Sequence, residues 1–355
     1  MVIYSIIATI FVLGVLIFVH ELGHFIVAKR SGVKVERFSL GYPPKMIGFK
    51  RGETEYCISW IPFGGYVKMA GENPDEEELT GAPYEFQSKP IGIRAAIIAA
   101  GPIMNFVAAI LIFWMVFLFS GVAVVDTNSA VIGLISPNGP AAKAGIIPGD
   151  EIVSINGIPV HSFEEMAKQI YKEVEKPIVV EWIRNGKTHL ATIITMKDEV
   201  VDAHGEKKVV GKIGIGPQTK TIQKGFFDSF TESIKTSVSI IIQLIGVIIG
   251  LFSGAISIKA MGGPVQIAQM AGQTAQLGFS SLMTFTAFLS LNLGLLNILP
   301  LPVLDGGHLT FLAIEKLRGK PISFETKARI QQVGILLLLV LMITVTYNDI
   351  LRIFK

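Results

Sequence analysis

The chain has 355 residues, 50% of them apolar and only 17% charged, against about 25% charged in an ordinary soluble domain. With a mean hydropathy of +0.56, this composition excludes a disordered chain and argues against a wholly soluble one. The 31 basic and 28 acidic residues leave a net charge of +3, too balanced for nucleic acid. A lone cysteine, Cys57, excludes an internal disulfide and a cysteine zinc finger.

In chain order, residues 2–28 are the first stretch to meet the roughly 20 apolar residues that a membrane crossing needs. The stretch stops at Lys29-Arg30 and lacks the basic start and small-residue cleavage site of a signal peptide. Residues 91–125, 279–304 and 333–350 are the other expected spans. A fifth apolar stretch, 237–252, is shorter and carries Gln243, Gly246 and Gly250. Between the second and third spans, residues 126–222 have the texture of a soluble domain. There, 130–135 and 151–155 read as short strands, and 162–171 as an amphipathic helix with Ser162 as N-cap and Glu165 completing a capping box. Two further strands, 177–182 and 188–195, flank Asn185-Gly186, the strongest two-residue hairpin signal.

The first span contains His20-Glu21-Leu22-Gly23-His24, which spells HExxH. Histidines four apart on a helix stand about 40° apart on one face, so both imidazoles can reach one zinc ion. Glu21 is turned onto the flank, where it can act as a base toward water activated by the metal. Packing alone does not account for three ionisable groups within five residues of a membrane helix, because each is costly there. A hydrolytic zinc site wants a third protein ligand and one open position. Asp305, within NILPLPVLDGG (297–307), is the obvious carboxylate in apolar surroundings. Pro300 and Pro302 prevent a regular helix in that run, and irregular backbone at membrane depth survives only beside protein or a water cavity. On these residues alone, Asp305 is either the third ligand or an ordinary Asp-Gly turn ending a helix.

HExxH in a first span, paired with NxxPxPxLDG in a later one, resembles the site-2 protease family of intramembrane zinc proteases. Segments 61–69 (IPFGGYVKM) and 100–105 (AGPIMN) resemble its bacterial regulator-of-sigma-E protease branch. The likeness runs over nearly the whole chain. It implies one zinc ion per chain held by His20, His24 and Asp305, with Glu21 as the base. It also implies that Asn297 is the asparagine contacting the substrate carbonyl or oxyanion. Segment 139–157 (GPAAKAGIIPGDEIVSING) resembles the PAxxAGxxxGDxIxxxNG run of bacterial PDZ domains. One PDZ-like domain is expected, whereas the best-known branch members carry two in tandem, so substrate gating need not match theirs. Its groove either takes a C-terminal peptide by strand addition or restricts access by size.

Depth and charge give a topology. HExxH ends five residues before Lys29, roughly 8 Å deep at 1.5 Å per residue, and Asp305 stands eleven residues before Lys316 in the basic run KLRGK. Basic short loops are cytoplasmic, so the first and third spans must run in the same direction with one crossing between them. Stretch 237–252 is then expected to lie on the membrane surface. The expected fold is a polytopic α-helical membrane protein with four transmembrane helices, a membrane-re-entrant β-hairpin region and one extracytoplasmic PDZ-like α+β domain. Both termini lie outside, and the zinc site faces the cytoplasmic side of a bacterial inner membrane. The expected organisation is a membrane core at 1–121, the PDZ-like domain at 122–222, a surface helical segment at 223–278 and a second membrane core at 279–355.

The re-entrant β region, about 34–70, follows from the resemblance, in which a hairpin beside the zinc takes the substrate as an added strand. From the residues alone, 55–68 reads as two strands joined at a Pro/Gly break, and a hairpin lying on the membrane surface fits equally well. Glu76-Glu77-Glu78 reads as a solvated loop, His308 as a packed or supporting residue, and His161, His189 and His204 as surface residues.

The expectation is a zinc-dependent intramembrane endopeptidase that cleaves a transmembrane segment of a membrane protein. The resemblance suggests an anti-sigma factor or a signal-peptide remnant. Its partners would be that substrate, the lipid bilayer and a C-terminal peptide at the PDZ groove, with no nucleic acid. Two rivals are a membrane metal transporter and a PDZ-bearing binding protein without catalysis. The first leaves Glu21 unexplained, and the second leaves the intact HExxH with Asp305 unexplained.

Overall fold

The computed structural model describes residues 2–72, 79–201, 207–257 and 261–353. Glu76-Glu77-Glu78 and His204 lie outside the described residues. The chain divides into two compact units, Met1–Phe119 with Gly225–Lys355, and Ser120–Lys224.

The first unit opens with α1 (Val2–Arg30), whose last turn carries Lys29 and Arg30, the charges favoured at a helix C-terminus. Strands β1 (Val35–Arg51) and β2 (Thr54–Met69) follow, then α2 (Ile91–Ser120). The expected break within 55–68 is a bend in a single strand, and its two halves do not pair with each other. They flank β1: Phe38 pairs with Val67 on one side and with Tyr56 on the other, and Tyr56 pairs in turn with Phe49. The hairpin turn falls earlier, at Gly52 with φ 63°. Helix α2 stops at Ser120, short of the expected 125, because Gly121 takes φ 76° and the valine-rich Val122–Asp126 goes into a strand.

The second unit contains β3 (Val122–Asp126), β4 (Ile132–Ile135), α3 (Pro140–Lys143), β5 (Glu151–Ile155), β6 (Ile158–Pro159), α4 (Phe163–Tyr171), β7 (Pro177–Arg184), β8 (Lys187–Ile194), β9 (Met196–Val201), β10 (Lys207–Lys212) and β11 (Ile215–Ile222). The strands form a four-stranded sheet in the order β6-β5-β7-β8, a three-stranded sheet β3-β11-β4 and the pair β9-β10. Ile152, Ile155, Met166, Ile178, Val180 and Trp182 are among its buried core. The β7–β8 hairpin turns at Asn185 and Gly186, with φ 50° and 75°, as the Asn-Gly pair predicts. Ser162 caps α4 by accepting from the Glu165 N–H at 3.2 Å. The Glu165 carboxylate reaches back one residue further than a capping box requires, to the His161 N–H.

The first unit resumes with α5 (Phe226–Phe252), α6 (Pro264–Gln276), α7 (Phe279–Ile298), α8 (Asp305–Arg318) and α9 (Phe324–Ile353). Helix α5 is longer than the apolar stretch 237–252 because its first turns carry Asp228, Glu232 and Lys235. The third expected span breaks at the prolines: α7 ends at Ile298, and Asp305 opens a separate helix. Among the described residues, α1, α2, α5, α7 and α9 are long and apolar enough to cross a membrane.

Close contacts fix the helix directions. Helices α1 and α2 are antiparallel, with Gly23 against Ala100 and His20 beside Asn105. Helix α6 meets α1 where Gly272 packs against Ser5, and the end of α7 meets α1 where Asn297 faces His20. Helix α9 returns, with Gly334 beside Pro302 and Asp349 capping the start of α6 through the Gly263 and Gln266 N–H groups, both at 3.0 Å.

Candidate active site

Helical spacing puts His20 and His24 one turn apart on α1, with their Nε2 atoms separated by 3.2 Å. Asp305, at the start of α8, meets both: its Oδ2 is 3.2 Å from His20 Nε2, and its Oδ1 is 3.6 Å from His24 Nε2. One ligand atom from each residue falls within 4.8 Å of the others. Tetrahedral ligands about 2.0–2.2 Å from a zinc ion stand roughly 3.4 Å from one another, so the set fits a single ion. Asp305 Oδ2 is also buried with no hydrogen-bond partner among the described residues. A buried carboxylate oxygen that makes no hydrogen bond between two imidazoles is costly without a cation.

Local sequence explains how these side chains converge. Asp305 sits in the first turn of α8, where the helix dipole favours a carboxylate. The Leu-Pro-Leu-Pro run folds over that turn. A Cβ on Gly306 would lie 2.2 Å from the Ile298 and Leu299 carbonyl oxygens, and one on Gly307 would lie 2.2 Å from that of Leu301. Helix α2 comes equally close on the other side, where a Cβ on Gly23 would lie 2.3 Å from the Ala100 carbonyl oxygen. His24 donates from Nδ1 to the Ile97 carbonyl at 2.8 Å. His20 Nδ1 faces the side-chain amides of Asn105 at 3.2 Å and Asn297 at 3.5 Å.

The histidines, Asp305 and Glu21 line one cleft of about 300 Å³, whose wall includes Gly65, Tyr66 and Val67 of β2. Glu21 packs directly against that wall, since a Cβ on Gly65 would lie 2.8 Å from its Cγ. Residues 65–67 pair with β1 on one side only among the described residues, while at the end of the strand the Met69 N–H donates to the Glu72 carboxylate at 3.3 Å. Arg94 and Glu315, also buried, form a two-point ion pair (2.5 and 3.3 Å) that ties the start of α2 to the end of α8.

The structure thus brings His20, Glu21, His24, Asn297 and Asp305 together. His308 stands at the exposed rim, 3.3 Å from Gln331, outside the three-ligand group. His161 is exposed, as expected. His189 is half-buried rather than a surface residue, because strand pairing sets it opposite Trp182 and the rings stack with centroids 5.6 Å apart. Sequence reasoning gave no role to Asn105, Gly101 or the Arg94–Glu315 pair. The signal for Asn105 and Arg94 was present: they are polar residues in an otherwise apolar span.

A membrane helix carrying two histidines and a glutamate, joined by an aspartate from a broken helix, defines a membrane metallopeptidase. Residues 8–341 match peptidase family M50. The regulator of sigma-W protease RasP of Bacillus subtilis is 34% identical over 99% of this chain and 99% of its own length. A relative in Rhizobium meliloti with a zinc metalloprotease name is 37% identical over 98% of this chain and 96% of its own. A PDZ domain of an SdrC-like protein from Listeria monocytogenes covers 25% of this chain and 87% of its own, with 22% identity and a TM-score of 0.21. The chain belongs to peptidase family M50, the site-2 proteases that its motifs resemble. It is a zinc-dependent endopeptidase of the membrane.

Proposed function

We propose that His20, His24 and Asp305 hold one zinc ion per chain, that Glu21 is the general base, and that Asn297 contacts the oxyanion of the scissile carbonyl. The observation that carries this is the convergence of three ligand atoms within 4.8 Å, one of them an orphaned buried carboxylate oxygen. When bound, zinc supplies a Lewis acid that polarises a carbonyl and brings the pKa of a coordinated water to about 7. Glu21, on the flank of the same helix and against β2, takes the proton of the attacking water and returns it to the leaving amine as the C–N bond breaks. Asn297 directs its amide toward the carbonyl oxygen as charge develops there.

A helical substrate hides its carbonyls in i→i+4 hydrogen bonds, so it must unwind before attack. The outer edge at 65–67, paired with β1 on its other side, would offer main-chain hydrogen bonds to such an unwound segment beside Glu21. The substrate is therefore a transmembrane segment of a membrane protein, such as an anti-sigma factor or a signal-peptide remnant. The Bacillus subtilis relative is named for regulating sigma-W. The PDZ-like domain either binds a C-terminal peptide or limits access by size.

Four crossings, α1, α2, α7 and α9, place both termini and the PDZ-like domain outside and the zinc site toward the cytoplasm. Supporting this, Lys29 and Arg30 end α1 while Lys316 and Arg318 end α8. Helix α5 starts against Trp114, where α2 leads away from the site, and the chain resumes at Gly263 beside Asp349. A 27-residue helix is about 40 Å long, more than the roughly ten residues after it can retrace even fully extended with a turn among them. An interfacial α5 satisfies both ends.

The test is Glu21→Gln in the full-length protein. Zinc should stay bound and cleavage of a transmembrane substrate should fall by at least about 10²-fold. Retained cleavage removes Glu21 as the base, and lost zinc makes it a ligand.

A further inference from the structure

We infer that Asn105 is a positioning residue that holds the His20 imidazole in the one tautomer able to bind metal through Nε2. This rests on the reading of His20 as a ligand.

Asn105 is fully buried in an apolar span, a place where packing alone would favour leucine. Its backbone is held in place, because Ser290 Oγ donates to the Asn105 carbonyl at 2.7 Å and Gly294 leaves room for its Cβ. One end of its amide faces His20 Nδ1 at 3.2 Å, and its Oδ1 has no hydrogen-bond partner among the described residues. His20 Nε2 points the other way, toward Asp305 and His24, both at 3.2 Å.

A neutral imidazole carries one proton, so a ring that binds metal through Nε2 keeps that proton on Nδ1. The atom facing Nδ1 must then be an acceptor. A half-turn of the Asn105 amide exchanges its oxygen and nitrogen without moving the backbone. With oxygen toward the ring, Asn105 accepts the Nδ1–H. With nitrogen toward the ring, it would donate to Nδ1 and force the proton onto Nε2, where it blocks the metal position. His24 shows the same arrangement with a fixed acceptor, the Ile97 carbonyl of the same helix at 2.8 Å. Helix α2 therefore orients both ligands, one through its backbone and one through a side chain. Asn297, half-buried and further from Nδ1 at 3.5 Å, is released to turn toward substrate.

Zinc affinity of the full-length protein, measured by competition with a chelator, tests this without reference to cleavage. Asn105→Leu should weaken zinc binding about 10- to 100-fold. Asn105→Asp, similar in shape and purely an acceptor, should match or exceed the wild type, and Asn297→Ala should leave affinity unchanged. Wild-type affinity in Asn105→Leu, with zinc lost in His20→Ala, overturns the inference alone. Wild-type affinity in His20→Ala overturns both the inference and the ligand assignment beneath it. Should Asn105→Leu fail to fold, Asn105→Asp decides: affinity retained supports the acceptor role, and affinity lost overturns it.

Discussion

A Cβ on Gly101 would lie 2.3 Å from Nε2 of His24 and 2.8 Å from Cε1 of His20. The backbone of α2 itself is therefore a wall of the metal site, and a single methyl group would occupy the space its ligands need. Gly101→Ala should leave the chain folded, since alanine is the better helix former, but should lower zinc content and abolish cleavage. Gly92→Ala, on the same helix with nothing within 4 Å of its Cβ, is the control and should behave as wild type. Equal zinc content in the two variants would contradict the close approach.

Asn297→Ala should fold, keep its zinc and lose about 10²–10³ in rate, the usual cost of one oxyanion donor. Single-turnover cleavage at saturating substrate measures it. An unchanged rate with intact metal would leave Asn297 as a helix-ending residue next to His20.

The Arg94–Glu315 pair is 6% and 7% exposed and joins helices far apart in sequence. Removing one partner leaves a buried unpaired charge, which costs about 3–5 kcal/mol. Arg94→Leu and Glu315→Leu should each lower the thermal unfolding temperature markedly, and the double variant should recover most of the loss. A double variant as unstable as the sum of the two would mean that the charges do not act as a pair.

Topology can fail independently of the chemistry. In a Cys57→Ser background, single cysteines at Asn185, Leu277 and Lys320 report three loops. An impermeant thiol reagent applied outside should label the first two and not the third. Labelling of Leu277→Cys from inside only would make α5 a true crossing and would set α7 in the opposite direction from α1.

What could be read from the sequence depended on range. The spacing of His20, Glu21 and His24 is local, and Asp305 announced itself as a carboxylate in apolar surroundings beside two prolines. The hairpin at Asn185-Gly186 and the Ser162 cap are likewise fixed by neighbouring residues. Gly101 and Asn105 acquire their roles only because α2 docks against α1, and nothing in their own neighbourhood names His24 or His20 as the partner. The β region misled for the same reason. Residues 55–68 read as two strands joined at a Pro/Gly break, yet both halves pair with β1 and not with each other. Hydropathy placed α5 too short and α2 too long. It cannot see a helix continuing through Asp228 and Glu232, or a valine run leaving a helix at Gly121.

The most direct test of the central claim is metal content of the purified full-length protein, compared among wild type, His24→Ala and Asp305→Ala. The three converging ligand atoms and the orphaned Asp305 Oδ2 predict one zinc per wild-type chain and its loss in both variants. Full zinc occupancy in either variant would remove that residue from the ligand set and contradict the site described here.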